Sequence, residues 1–169
     1  VQAQQLCERT GHAVAVCVWG SFGPTVVRWE QPALALMLNV GLGSVYPIYR
    51  SATGRVFAAY LPANIVREYA AKSAQMPPLA DEVIESIEEV RQRGMARSQG
   101  DHFPGFGALA APVFDAQGRL MLSLTVFGPK QNVDLRWSGP LAAALREATQ
   151  GISRTLGHSG PAASRAFES

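Results

Sequence analysis

The sequence predicts an α+β domain in which antiparallel strands lie between a first and a last helix. Three observations support this prediction. Segments with helical periodicity begin and end the chain and also fill its middle. Short Val- and Leu-rich runs occur in pairs joined by turn sequences, which is typical of β-hairpins. Strands and helices do not alternate one by one, as they would around a parallel sheet, and the sheet is therefore expected to be antiparallel.

The first part of the chain predicts a helix and a hairpin. Residues 1–10 fit a helix that ends at Gly11, because glycine readily adopts the left-handed conformation that closes a helix. The run "AVAVCVWG" at 13–20 is expected to form a buried strand. The run "PTVVRWEQ" at 24–31 is expected to form the second strand, after the turn sequence "GSFGP".

The middle of the chain is predicted to be largely helical. It begins with two short extended segments at 33–39 and 44–49. Ser51 is the expected N-cap of the next helix, and a further helix is predicted at 62–72. The clearest helical pattern spans 79–94, with acids near its start and arginines near its end. Its apolar stripe is expected to face the core: Leu79, Val83, Ile84, Ile87 and Val90.

The last part of the chain predicts a second hairpin and a closing helix. A short strand is expected at 95–99, and the hairpin strands are expected at 105–115 and 119–129, around the turn sequence "DAQGR". Residues 138–157 show helical periodicity. The small, polar tail at 158–169 is expected to be mobile.

The second strand of this hairpin has two different faces. Alternating side chains give one aliphatic face, which should pack on helices: Leu120, Leu122, Leu124 and Val126. The other face mixes hydroxyls with large apolar groups: Met121, Ser123, Thr125 and Phe127. This mixture favours a cavity wall, and the alternative is a face exposed to solvent.

The composition indicates one compact domain. The chain has 169 residues, of which 47% are hydrophobic and 17% charged, with a net charge of +2. Such a weak charge does not indicate a nucleic-acid-binding surface. No apolar run approaches the roughly 18 residues of a membrane span, and no signal peptide is recognisable at the first residues. Two cysteines are too few for a disulfide scaffold, and a reducing cytoplasm is the expected location.

The sequence gives no enzymatic, metal-binding or cofactor-binding signature. The pattern "GFGALA" at 105–110 resembles a dinucleotide fingerprint, but an extended pattern follows it where a helix is needed. The pair Asp101-His102 can contribute to a polar or metal site, and a solvated loop pair is the alternative. No nucleophile elbow or acidic pair at a catalytic spacing is present. We therefore expect neither catalysis nor a bound metal or cofactor.

The small residues around 51–54 suggest an anion site. If Ser51 caps a helix, the amides of Thr53 and Gly54 are expected to point outward at its positive end. A carboxylate would be attracted there, and the small side chains at 52–54 would let it approach. The alternative is an ordinary helix cap without a ligand.

Five segments together resemble the IclR family of bacterial transcription regulators. They are "TGHAVAVCVW", "PIYRSATGRVFAAYLP", "EVRQRGMARSQGD", "PGFGALAAPVFDAQGRLMLSLTVFGP" and "ISRTLG", in this order. The resemblance implies a GAF-like fold: a curved antiparallel sheet with terminal helices on one face and a ligand pocket on the other. It implies that residues 1–157 are the effector-binding domain, that the chain begins in the linker helix, and that a winged helix-turn-helix domain belongs before it.

The resemblance also implies what the domain binds. Family members sense small organic acids, and bind operator DNA as homodimers or homotetramers through the preceding domain. Carried over by position, the carboxylate docks on the amides of Ala52 and Thr53 in the "S-x-x-G" turn. The other matching pocket positions are Leu38, Tyr46, Ser98, Phe106, Ala108, Thr125 and Phe127. Asp101 completes the candidate ligand-binding set.

The sequence departs from the family pattern at three pocket positions. Ser98 stands where a carboxylate can occur, Ala108 where a thiol can occur and Phe127 where a hydroxyl can occur. The pocket is therefore expected to be apolar, and its ligand to combine an aromatic or alkyl body with a carboxylate head. Two other readings are a GAF-type sensor of another signalling protein, and a small enzyme that uses Ser98, Asp101 or His102.

Overall fold

The computed structural model describes residues 1–32, 40–72 and 81–160. The elements in chain order are α1 (Gln2–Thr10), β1 (Ala13–Gly20), β2 (Gly23–Glu30), α2 (Ala52–Tyr60), α3 (Ala63–Lys72), α4 (Asp81–Arg93), β3 (Ala96–Ser98), β4 (Phe106–Phe114), β5 (Leu120–Pro129) and α5 (Pro140–Thr155). The strands form one antiparallel sheet in the order β2-β1-β5-β4-β3. The α+β class and both predicted hairpins are confirmed. Within the described part of the chain, no helix is long and apolar enough to span a membrane.

Helices cover both faces of the sheet. On one face, α1 and α5 pack on the sheet through a core that includes Leu6, Leu124 and Leu145. On the other face, α2 and α4 form a second core with Val56 and Val90. The terminal helices thus share one face, as predicted, and β5 lies between the two cores.

The two-faced pattern of β5 is confirmed over most of its length, but it is wrong at Leu120. Leu122, Leu124 and Val126 face α1 and α5, whereas Leu120 packs on the opposite face. The cause is a register shift, because Phe114 pairs with Leu120 while Val113 pairs with Leu122. The extra residue turns the start of the strand over.

The other predicted face of β5 is largely buried rather than solvent-facing. Ser123, Thr125 and Phe127 are all at most 3% exposed. Met121 is the exception, because it is the extra residue at the register shift and is 46% exposed. Burial of this mixed polar and apolar face excludes the solvent-exposed alternative from Ser123 onward.

Two expectations for the middle of the chain are wrong. Residues 44–49 do not form a strand, since Val45 makes one isolated bridge to Thr25 and the chain then turns towards α2. Ile84 does not face the core and is 51% exposed, because α4 buries only a narrow stripe at Ile87 and Val90.

Some predictions lie outside the described residues. They are the extended segment at 33–39, Leu79 and the end of the tail at 161–169. At the start of the tail, the His158 ring packs on Phe114, and its Nδ1 lies 3.1 Å from the carbonyl oxygen of Asp115.

Candidate functional site

The N-terminus of α2 is capped by Ser51, as predicted. Ser51 has an extended backbone, and its Oγ accepts a hydrogen bond from the Gly54 amide at 2.9 Å. The same hydroxyl donates to the Pro47 carbonyl oxygen at 2.8 Å. The expectation that the Gly54 amide is free is therefore wrong, because the cap already uses that donor.

The absence of a side chain at Gly54 has a packing cause. A Cβ at this position would overlap the carbonyl oxygens of Pro47 and Ile48. These are backbone atoms, which cannot move aside as the end of a flexible side chain can. The glycine therefore lets the first turn of α2 lie against the preceding segment, and it is not itself evidence of a ligand.

The amides of Ala52 and Thr53 remain free. Neither N–H has an acceptor among the described residues, because the first turn of a helix has no intrahelical partner for them. Both residues are buried, with 2% and 1% exposure. Buried N–H groups without a partner are rare in folded proteins. Their dipoles add to the positive end of α2, and this turn can bind an anion.

These two residues line a cavity between α2 and the sheet. The space inside it that water can occupy is about 30 Å³, and the depression with its mouth open to solvent measures about 370 Å³. Because roughly 10–15 Å³ of such space holds one water, the inside of the cavity has room for about two waters. A ligand larger than these waters would extend into the open mouth or displace neighbouring side chains.

The described residues that line the cavity are uncharged. Its polar centre is a hydrogen bond of 2.7 Å between the hydroxyls of Thr53 and Thr125. Burial, and then the nearby Cys17, raises the pKa of the Tyr46 phenol well above its usual range, and Tyr46 is therefore neutral. Burial, and then the nearby Arg50, lowers the pKa of His102, which favours its neutral form as well. None of the described lining residues is an acid that would repel a carboxylate.

The structure brings eight of the ten candidate residues together around this cavity. They are Tyr46, Ala52, Thr53, Ser98, Phe106, Ala108, Thr125 and Phe127. Leu38 lies outside the described residues. Asp101 is not part of the lining, because its carboxylate is turned to Arg55.

Arg55 connects three segments around the cavity. Its Nε donates to the Tyr49 carbonyl oxygen at 2.9 Å, and its Nη1 donates to the Arg97 carbonyl oxygen at 2.7 Å. Its Nη2 forms an ion pair with Asp101. The Arg55 side chain is only 14% exposed, and it therefore belongs to the framework of the site rather than to solvent.

Four further lining residues were not in the predicted set: Ser51, His102, Phe103 and Gly107. The sequence marks Ser51 as a cap and His102 as part of a polar pair, but neither signal shows that the side chain reaches this cavity. The absence of a side chain at Gly107 is explained by packing, because a Cβ there would lie 2.8 Å from side-chain atoms of Val133 and Leu135.

Among the described residues, the candidate enzyme residues Ser98, Asp101 and His102 are not linked to one another by side-chain hydrogen bonds. No group of three or more His, Cys, Asp or Glu residues in the same part of the chain can hold a metal ion.

Comparison with known proteins gives one consistent result. The family model described as "Bacterial transcriptional regulator IclR C-terminal" matches residues 1–154. The DNA-binding transcriptional repressor YiaJ of Escherichia coli is 26% identical over 140 residues, which are 78% of this chain and 50% of YiaJ. The repressor AllR of Klebsiella pneumoniae is 20% identical over 160 residues, 91% of this chain and 59% of AllR. The chain thus spans about half the length of these relatives.

Solved structures agree with the fold. The crystal structure of Pseudomonas aeruginosa HmgR superimposes with a TM-score of 0.82 at 35% identity, covering 95% of this chain and 65% of HmgR. The Thermotoga maritima IclR structure has a TM-score of 0.80 at 20% identity and covers 93% of this chain and 66% of that protein.

Proposed function

This chain belongs to the family of IclR C-terminal domains of bacterial transcriptional regulators, and on that premise we propose that it senses a small organic acid for such a regulator. The observation that carries the proposal is the pair of free amides at Ala52 and Thr53, which lie at the positive end of α2 and line a cavity. A carboxylate between them would satisfy two buried donors that have no other partner among the described residues.

The lining supports a ligand with an apolar body. Phe106 and Phe127 lie near each other, with ring centroids 6.4 Å apart, and Ala108 presents no polar group beside them. Arg55 is paired with the Asp101 carboxylate, and neither Arg50 nor Arg55 lines the cavity. A monocarboxylate with an aromatic or alkyl body therefore fits this chemistry better than a small, doubly charged acid.

The single sheet layer provides a route from the ligand to the terminal helices. Thr125 faces the cavity, while its neighbours Leu124 and Val126 pack in the core with α1 and α5. A change in the position of β5 would therefore act on both helices. The ligand shifts the population only as far as it prefers one of the two arrangements.

The wider setting of the domain is part of the same proposal. We take residues 1–157 as the effector-binding unit and 158–169 as a tail. DNA contact would be made by a winged helix-turn-helix domain joined before α1, in a cytoplasmic homodimer or homotetramer. The relatives named above are called transcriptional repressors, and this supports a regulator rather than an enzyme.

A thermal-shift screen with matched proline variants tests the anion site. Benzoate, phenylacetate, butyrate and glyoxylate cover aromatic, alkyl and two-carbon acids. An acid present at a hundred times its dissociation constant stabilises the protein by about 2.7 kcal/mol. The variant Ala52→Pro removes one amide donor at the first helical position, where proline is well tolerated. Ser51 before it already has the extended backbone that a residue before proline needs.

The control is Ala63→Pro, the same change at the exposed first position of α3. We expect an aromatic acid to stabilise the wild type and Ala63→Pro, but Ala52→Pro much less. Equal stabilisation of the two variants would show that the anion docks elsewhere. Tighter binding of glyoxylate than of every aromatic acid would refute the proposed ligand class.

A further inference from the structure

The loop that contributes two rings to the cavity lining lies between two glycines with unusual backbones. Gly100 has a φ of 106° and Gly105 a φ of 84°, values that other residues rarely adopt. Between them lie residues 101–104, which we call the lid. In the described structure no strand pairing holds the lid, since β3 ends at Ser98 and β4 begins at Phe106.

Two aromatic rings of the lid line the cavity. The His102 and Phe103 rings are 4.1 Å apart, and both line the cavity. Each ring makes an edge contact with Tyr46, at centroid distances of 5.8 Å for His102 and 6.4 Å for Phe103. All three rings line the same cavity as the free amides.

Two arginines outside the lid bind Asp101, the first residue of the lid. The Asp101 carboxylate forms an ion pair with Arg55, and Arg50 donates to the Asp101 carbonyl oxygen at 3.2 Å. Arg55 itself is fixed by its bonds to Tyr49 and Arg97. We call the Arg55–Asp101 ion pair the latch. Its arginine on α2 is held by several bonds, whereas its partner in the lid, the Asp101 side chain, is 41% exposed.

We propose that residues 101–104 are a movable lid latched by the Arg55–Asp101 ion pair, and that His102 and Phe103 contact the ligand and select its shape. An aromatic acid does not fit within the roughly 30 Å³ of water-accessible space inside the cavity, and movement of the lid would enlarge that space. Rotation about the two glycines would carry both rings away together. This inference rests on the proposed sensing function, but its test does not need a ligand.

The test is amide hydrogen exchange of Phe106, measured by NMR on the protein without ligand. The Phe106 N–H donates to the Phe103 carbonyl oxygen at 3.0 Å and reports whether the lid is closed. The variant Asp101→Ala removes the latch. The matched control Glu147→Ala removes the exposed ion pair between Arg9 and Glu147, far from the lid. Loss of a partly exposed ion pair should speed Phe106 exchange roughly fivefold in Asp101→Ala and leave it unchanged in the control.

Two results would overturn the proposal of a movable lid. One is an unchanged Phe106 rate in Asp101→Ala. The other is an equal acceleration of core amides such as that of Leu124, which would mean that the ion pair stabilises the whole domain. If Asp101→Ala does not fold, Arg50→Gln removes the second fastening and should give a smaller acceleration confined to the lid. Failure of the sensing proposal would appear separately, as the lack of any stabilisation by acids.

Discussion

Replacing Gly54 by alanine tests whether the small residue at the start of α2 serves packing or a ligand. The new Cβ would overlap the carbonyl oxygens of Pro47 and Ile48. Forcing an extra methyl group into a packed region costs about 1–3 kcal/mol. Displacing the Gly54 amide from Ser51 Oγ adds the loss of a cap, about 1 kcal/mol. Alanine returns at most about 1 kcal/mol through its higher helix propensity.

The expected net effect is therefore a loss of about 1–3 kcal/mol in the free energy of unfolding, measured by urea denaturation. The control is Gly151→Ala in α5, where the nearest atom to the new Cβ is the end of the Arg154 side chain at 4.0 Å. Without a clash, alanine should stabilise that helix by about 0.5–1 kcal/mol. If Gly54→Ala proves as stable as Gly151→Ala, this result would contradict the close contact between α2 and residues 47–48.

Three further predictions concern the sheet and the cavity. Thr125→Val leaves the Thr53 hydroxyl without its partner and should lower the free energy of unfolding in urea by about 1–3 kcal/mol. The double variant Thr53→Val with Thr125→Val leaves no hydroxyl unpaired and should recover part of this loss. Lack of any recovery would contradict the hydrogen bond between the two hydroxyls. Leu124→Ala, at a fully buried position, should cost about 2–5 kcal/mol, and a loss below 1 kcal/mol would argue against the core between β5 and the terminal helices. The NMR titration midpoint of His102 should lie below the usual histidine pKa near 6.5, since burial and then Arg50 disfavour the charged imidazolium. Because the folded protein favours the neutral ring, the free energy of unfolding should fall as the pH is lowered from the ordinary histidine pKa to the lower pKa of His102 in the folded protein. Arg50→Gln should raise this midpoint, and an unshifted midpoint in the wild type would contradict the packing of the ring.

Local patterns predicted what depends on neighbouring residues in the chain. The cap at Ser51 is predicted because its hydroxyl lies three residues before the Gly54 amide, and the structure contains the hydrogen bond between them. The alternation along β5 likewise predicted which side chains from Leu122 onward face each core. Neither prediction needed knowledge of distant parts of the chain.

What the sequence could not predict depends on contacts between distant segments. Leu120 changes face because of where β4 and β5 pair, and a residue's own neighbours do not determine that register. Asp101 looked like a pocket residue, yet its carboxylate pairs with Arg55, which is 46 residues away. The closeness of Gly54 to residues 47–48 is another contact that only the folded chain reveals.

The free amides of α2 can be observed directly by ¹H–¹⁵N NMR. The protein would be titrated with the most stabilising acid of the thermal-shift panel, and the Ala52 and Thr53 resonances followed. We expect both amide protons to move downfield on saturation, by more than any other amide in the described part of the chain, because they gain a charged acceptor. An acid that binds while these two resonances stay in place, and shifts only resonances elsewhere, would contradict the proposed anion site.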